Sequence, residues 1–304
     1  MGSFKSRKSL PPKDKAEDAT SQFIAELDDI LLGGAPDSAK FKEIVLSFFR
    51  RHGRDFPWRR TRDPYKILVS EIMLQQTQTE RVVEKYRQFL KAFPNWRALS
   101  EATPAEVVKE WMGLGYYRRA FNLHKAAKSV VSDYRGRPPR TAEELRNLPG
   151  VGPYTAAAVA AFAFGEAVPM IETNIRTVYL HVYYPRSRGV SDKRILEKVA
   201  ETLHVEDPRA WFYALMDLGA ALKKRTKGIN KRSKHHVKQS KFAGSQRQAR
   251  AAVLKFLVTR SGARERDIVD ALPYDVAKVE RAIAELTTEG LISKGRAGRI
   301  TIAK

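Results

Sequence analysis

The sequence predicts an all-α protein: a two-lobed helical domain followed by a small C-terminal unit of three helices and a β-hairpin. Three observations carry this. From Ser21 to about Leu222 apolar residues recur at spacings of three and four, with Pro and Gly marking the turns. No alternating strand pattern of comparable strength interrupts them. Beyond residue 246 the pattern changes and ends in LISKGRAGRITIA at 291–303, a short hairpin with basic residues around Gly295 and Gly298. The stretch 65–170 forms one continuous block, so the segments on either side of it must pack together as a second lobe.

Taken in order, residues 1–20 are polar and read as a disordered tail. The first six residues formally fit an N-myristoylation pattern, but no second membrane signal accompanies them. Helices are expected at 40–52, 65–77, 79–93, 104–111, 116–135, 141–147, 154–164, 174–184, 191–202 and 208–223. A basic linker at 223–245 follows; between Lys223 and Arg250 there are eleven Lys or Arg and no Asp or Glu. Such a run is either a solvated face or a track for a nucleic-acid backbone. Residues 246–304, with helices at 246–260, 264–272 and 275–289 before the hairpin, match the winged-helix plan. Lys278 and Arg281 on its third helix are the candidate groove readers, although such modules also bind proteins.

The 304 residues carry a formal charge of +22 and a pI near 10.1, which argues for a polyanionic partner. No apolar run approaches the ~18 residues that span a membrane, and there is no secretory h-region, so the cytoplasm, with nucleoid association, is the expected location. The absence of cysteine excludes disulfides, thiolate-held zinc or iron–sulfur centres and cysteine nucleophiles. His235 and His236 have no acid or cysteine near them in sequence, and no metal or other cofactor is expected.

The richest stretch is LPGVGPYTAAAVAAFAFGEAVPMIETN at 148–174. Leu148, Gly150, Val151 and Gly152 belong to a tight turn between a polar and an apolar helix. Its glycines permit positive φ, and its N–H groups at a helix start suit a phosphate. Glu172, just before Asn174 and Arg176, puts a carboxylate near that grip. The combination points to excision of a base, in which an oxocarbenium-like sugar needs negative charge and the departing base needs an acid. Glu71, among Ile67, Leu68, Ile72 and Leu74 on an apolar helix, is the candidate acid, because a half-buried carboxyl is costly without a role. Gln75, one turn beyond on the same face, and Gln76 offer amides for base edges. Tyr116, on the Gly-flanked turn GLGYY, suits a wedge that fills the gap left by a flipped nucleotide. Arg118, Arg119, Asn122 and His124 follow as candidate phosphate contacts.

These pieces resemble the helix-hairpin-helix DNA glycosylases, and within them the MutY-type adenine glycosylases. Matching segments are FPW at 56–58, SEIMLQQT at 70–77, Trp111 with GLGYY at 113–117, LPGVG at 148–152 with Tyr154-Thr155-Ala156, and MDLGA at 216–220. The resemblance spans about 40–222 and implies Glu71 as proton donor to the base, at N7 if the base is adenine. It implies that Glu172, where the family has aspartate, stabilises the sugar cation or positions water, with Asn174 as its buttress. Tyr154 stands where bifunctional relatives carry a lysine nucleophile, so hydrolysis without strand cleavage is expected. Gln75, Gln76 and Tyr116 would hold the opposite strand. The partner implied is double-stranded DNA with a mismatched or damaged base pair, and a monomer is expected. The chain departs from the family in three places: Glu for Asp at 172, a Lys/Arg-rich run in place of the iron–sulfur motif, and the winged helix in place of the 8-oxoguanine reader. Adenine opposite 8-oxoguanine or guanine is the leading substrate. A thymine or uracil mismatch enzyme and a catalytically silent DNA-binding protein are the alternatives.

Overall fold

The computed structural model describes residues 13–235, 242–260, 262–295 and 298–303. The myristoylation pattern, His236 and the hairpin tip at 296–297 lie outside the described residues. The chain forms two compact units, each assembled from two separate stretches: Met1–Asp55 with Ala167–His236, and Phe56–Glu166 with Val237–Lys304.

In the first unit, α1 (Lys13–Leu32) replaces much of the expected tail. Phe23, Ile24 and Leu27 are buried on one face of it, and Thr20 meets His52 at 3.3 Å between Oγ1 and Nδ1. Once that face docks, the helix extends back through residues 13–20, which contain no Pro or Gly after Pro12 to stop it. Helix α2 (Ser38–His52) starts at the Asp37 cap, whose carboxylate accepts from the Lys40 N–H at 2.8 Å. Helices α10 (Thr173–Val182), α11 (Asp192–Glu201) and α12 (Pro208–Arg225) complete the unit. Phe41 of α2 meets Tyr179, Tyr183 and Trp211 edge-on. Helices α10 and α12 approach so closely that a Cβ on Gly219 would lie 2.1 Å from the Asn174 carbonyl oxygen. Asp217, its side chain 1% exposed, holds Arg54 at 2.7 Å.

The first half of the expected linker is folded chain of this unit. Lys223, Lys224 and Arg225 form the last turn of α12, where cations oppose the negative helix end. A 3₁₀ turn (Ile229–Arg232) then buries Ile229. Arg232 donates to the carbonyls of Leu180, Tyr184 and Pro185, which satisfies the C-terminal end of α10. Ser233 pairs with Val190 as an isolated parallel bridge.

The second unit centres on α3 (Pro64–Leu74), in which Tyr65 and Ile67 through Met73 are all buried. Around it stand α4 (Thr79–Ala92), α6 (Pro104–Trp111) and α7 (Arg118–Ser132), with a short α5 (Trp96–Glu101) that periodicity alone did not indicate. The polar helix before the tight turn shortens to α8 (Ala142–Leu145). The apolar helix after it divides into α9 (Pro153–Val159) and a π-helical turn (Ala160–Phe164), closed by Gly165 at φ 77°.

The C-terminal stretch of the same unit comprises α13 (Gln246–Arg260), β1 (Ala263–Arg264), α14 (Glu265–Ala271), α15 (Val276–Thr288), β2 (Ile292–Lys294) and β3 (Arg299–Ile302). Its sheet is antiparallel in the order β1-β3-β2, with Ala263 opposite Ile300 and Ile292 opposite Ile302. The two-residue β1 is too short to show alternation in sequence. Val253, Leu257, Ile268, Ile283 and Ile300 share one apolar core with Val108 of α6 and Phe121 of α7. The stretch therefore packs into the helical unit instead of standing apart behind a linker.

Candidate active site

Two carboxylates occupy different units, and each has a defined setting. Glu71 lies in the last turns of α3 and is 4% exposed. The Tyr154 hydroxyl donates to its Oε2 at 2.9 Å. Tyr154 reaches it from the first turn of α9, whose start is set by Gly152 as the extended cap and Pro153 as the first helical residue. A hydroxyl on Oε2 helps to fix the orientation of the carboxyl group. The neighbouring Thr155 is buried and accepts from the Gln75 amide at 3.2 Å. Helix α3 ends at Leu74, so Gln75 is its cap and not the next residue on the Glu71 face. Sequence periodicity had extended the helix one turn too far.

Arg119 accounts for that ending. Its guanidinium donates to the carbonyls of Ile72 (2.7 Å), Met73 (3.0 Å) and Gln75 (2.6 Å), which helix termination leaves without partners. It also reaches the carbonyls of Leu114 and Gly115 at 3.1 Å and the Thr77 hydroxyl at 3.2 Å. Burial lowers its pKa to about 10, which keeps it charged at neutral pH. Arg119 is thus a clamp between the Gln tract and the GLGYY turn, with its fork directed inward and not toward phosphates. His124, another sequence candidate for phosphate, is buried, and that burial together with Lys128 lowers its pKa.

Gln75, Gln76, Tyr116, Arg118 and Arg119 line one cavity of about 870 Å³. Gln76 and Tyr116 take left-handed backbone conformations, at φ 55° and 48°. The fourth wall of this cavity was not expected from sequence: Phe242, Arg247 and Arg250, in or beside the start of α13. Lys278 and Arg281 do not line it. Lys278 donates to the Gly244 carbonyl, and Arg281 pairs with Glu285 at 2.9 Å.

The turn at 148–152 closes with the Val151 N–H on the Leu148 carbonyl at 3.1 Å, and both side chains are buried. Gly150 has φ 76°, and a Cβ there would meet Asn122 at 2.5 Å. Asn122 therefore buttresses this turn from α7. Gly152 is exposed at the start of α9.

In the other unit, Glu172 is the cap of α10. Its Oε1 accepts from the N–H groups of Asn174 (2.7 Å) and Ile175 (2.9 Å), and its Oε2 from the Asn174 amide at 3.3 Å. Lys223 in turn reaches Asn174 Oδ1 at 3.3 Å. Burial pushes the Glu172 pKa up, opposed by those N–H donors and by Lys223 and Arg176.

The place after the 217–220 segment, where the family resemblance implies an iron–sulfur motif, offers no thiolate, since the sequence has no cysteine. It is filled by Ile229, the Asn230 amide on Thr177 Oγ1 (2.9 Å) and the Arg232 fork. These donors do not fit a cysteine-held cluster.

Residues 69–204 match the family described as HhH-GPD superfamily base excision DNA repair protein. The chain is 34% identical over 278 residues to an adenine DNA glycosylase of Mycolicibacterium smegmatis, covering 85% of this chain and 94% of that one. It is 41% identical over 195 residues to the adenine DNA glycosylase of Homo sapiens, covering 60% of this chain and 36% of that one. Among solved structures, a thermostable thymine-DNA glycosylase is similar with a TM-score of 0.55 and 30% identity, over 64% of this chain and 94% of that one. A trapped endonuclease III–DNA covalent intermediate shares the fold, with a TM-score of 0.51 and 18% identity over 60% and 85% of the two chains.

Proposed function

Since the chain belongs to the HhH-GPD superfamily of base excision DNA repair proteins and is a DNA glycosylase, we propose that it hydrolyses the N-glycosidic bond of an adenine mispaired with guanine or 8-oxoguanine. The observation that carries this reading is the buried Glu71 held by the Tyr154 hydroxyl, in a chain whose full-length relatives are named adenine DNA glycosylases. Glu71 gives its proton to N7 of the extruded adenine, so the base departs neutral with the bonding pair of the C1′–N9 bond. The sugar is left as an oxocarbenium ion. Glu172, as a carboxylate buttressed by Asn174, stabilises that cation or orients the water that adds at C1′. The proton lost by this water restores Glu71. The products are free adenine and an abasic site. Tyr154 has no amine, so no Schiff base forms at this position and the strand stays intact.

DNA is held by the 148–152 turn and by the cationic surface, with Gln75, Gln76 and Tyr116 on the opposite strand and Arg118 on phosphate. Lys278 and Arg281 of the winged-helix stretch are further candidate DNA contacts. Among the described residues no helix is long and apolar enough to cross a membrane. The enzyme acts as a monomer at the nucleoid.

The test is single-turnover base release from duplexes holding A opposite 8-oxoguanine, A opposite G, T opposite G and U opposite G, with abasic sites revealed by alkali. Adenine release that Glu71→Gln abolishes, with DNA affinity retained, is the expected result. Release of only thymine or uracil would favour the second reading, a pyrimidine mismatch enzyme, which the 30% identity to a thymine-DNA glycosylase structure supports. Silence on all four duplexes would leave a DNA-binding protein.

A further inference from the structure

Three polar side chains of the first unit form a chain of hydrogen bonds that ends on the Glu172 carboxylate. Lys223 Nζ donates to Asn174 Oδ1 at 3.3 Å, and Asn174 Nδ2 donates to Glu172 Oε2, also at 3.3 Å. The lysine fixes the direction of this chain. An ammonium carries donors and no acceptor, so it takes the carbonyl end of the amide and turns the amino end to the carboxylate. Reversed, the amide would set its oxygen against a carboxylate oxygen and its amino group against the ammonium. Helix packing sets the reach. Gly219 stands one turn before Lys223 on α12, and a Cβ there would lie 2.1 Å from the Asn174 carbonyl oxygen. The lysine stem therefore leaves α12 beside the first turn of α10.

Among the described residues, the charges that act on Glu172 are Lys223 and Arg176, and both favour its anion. Arg176 is also bound to Asp192 through two bonds of 2.9 and 2.8 Å. On α12, Asp217 holds Arg54, Lys224 lies 3.8 Å from Glu17, and Arg225 donates to the Ser21 carbonyl. In the turn after α12, Lys231 is exposed, and Arg232 is spent on carbonyls at the far end of α10, where His181 meets Asp28 at 2.8 Å. Lys223 is exposed and has no carboxylate partner among the described residues. We propose that Lys223 is a positioning residue for base release, which orients the Asn174 amide and through it the Glu172 carboxylate; this rests on the glycosylase reading above and on the part given there to Glu172. Its charge also favours the carboxylate over the acid, against the burial that works the other way. The contribution to rate therefore grows as pH falls toward the point where Glu172 takes up a proton. In sequence Lys223 is one of eleven basic residues in a run, and nothing local distinguishes it from a DNA contact.

The experiment compares the wild type with Lys223→Met and Lys223→Arg in single-turnover adenine release at saturating enzyme across pH, beside binding to a duplex carrying a tetrahydrofuran abasic analogue. Methionine keeps the stem and removes the charge and its donors. Lys223→Met is expected to release adenine about 5-fold more slowly on the acid side, the size of one unit charge withdrawn in a solvent-exposed setting. Its acid limb moves to higher pH, while affinity for the analogue is unchanged. Lys223→Arg, which keeps charge and donors, leaves the limb in place. An acid limb that does not move in Lys223→Met overturns the proposal, as does a loss confined to affinity, which would make Lys223 a phosphate contact. Thermal melts read the same link without turnover. At pH 7, Glu172→Gln should raise Tm more in the Lys223→Met background than in the wild type, because there the buried carboxylate has lost its support. An equal gain in the two backgrounds also overturns the proposal. A larger gain in a chain that releases no adenine upholds the link from Lys223 to Glu172 and refutes the proposed substrate.

Discussion

Gly219→Ala adds a single methyl group where α12 meets α10, and the structure sets the size of its effect. The new Cβ would lie 2.1 Å from the Asn174 carbonyl oxygen, 2.6 Å from its carbonyl carbon and 2.8 Å from its Cα. Ordinary carbon–oxygen contacts close at about 3.3 Å, so the first turn of α10 has to retreat by roughly 1.2 Å. The obstacle is backbone, which cannot rotate away as a side chain would. The cost therefore falls at the upper end of overpacking, about 3 kcal/mol, or a drop in Tm of roughly 5–10 °C for a chain of this size. Asn174 and Ile175 supply the N–H groups that hold Glu172, so the carboxylate moves with them. Displacement of a reacting group by about 1 Å costs on the order of 100-fold in rate. The assay is single-turnover adenine release well below the variant's Tm, normalised to DNA-binding-competent protein, beside a thermal melt. An unchanged Tm would refute the close approach of the two helices. A lowered Tm with an unchanged rate would remove Glu172 from the chemistry.

Three further outcomes follow from the same geometry. Tyr154→Phe deletes a hydrogen bond to a carboxyl group, worth about 1.5–3 kcal/mol, so the single-turnover rate should fall roughly 10- to 100-fold with DNA affinity kept; a loss confined to affinity would place the hydroxyl on DNA instead. For Glu172, burial raises the pKa and the reaction uses the ionised form, so activity is present above that raised pKa and is lost as pH falls through it. The acid limb should lie above the ordinary glutamate range. By the same sign the charge costs stability at neutral pH, so Glu172→Gln should melt higher than wild type at pH 7, with the difference vanishing in acid; equal melting at both pH values would contradict the shift. Arg54→Ala removes the guanidinium from Asp217, whose side chain is 1% exposed, while the N–H of residue 54 stays on its Oδ2 at 2.8 Å; losing the charge-assisted bonds should cost about 1.5–3 kcal/mol in a urea titration, and a cost too small to measure would mean that solvent already screens the pair.

What could be read from the sequence was whatever depends on residues close together in the chain. The helices at 104–111 and 246–260 have the bounds their periodicity and caps predict. Pro104 opens the first, and the Thr103–Glu106 capping box reinforces it. The grouping of Glu71, Tyr154 and Gln75 came from motif resemblance, and the bonds from Tyr154 to Glu71 and from Gln75 to Thr155 give it a geometry. Arg119 was misjudged because an arginine beside a candidate DNA turn looks the same in sequence whether it faces phosphate or folds back onto carbonyls. Only the position of the α3 terminus decides between the two. The start of α1 was missed for a related reason: its polar residues are helical because Phe23, Ile24 and Leu27, further along, have somewhere to dock.

The basic run at 223–250 shows most clearly how one composition can serve several purposes. Read as a string it is a charge block, and its natural interpretation is a track for DNA. In the fold several of its members among the described residues do separate work. Lys223 reaches Asn174 beside the Glu172 cap, and Arg232 closes the C-terminal end of α10. Arg247 holds Tyr116, and Arg250 holds Glu289. In a chain without cysteine, the contacts of Ile229, Asn230, Arg232 and Ser233 pin the segment after α12 onto α10 and the Val190 loop. Hydrogen bonds to backbone carbonyls secure this segment because helix ends carry unsatisfied acceptors and arginine carries only donors. The salt dependence of DNA binding should therefore owe less to this run than its eleven charges suggest, because a cation already bonded to the protein releases fewer counterions from DNA.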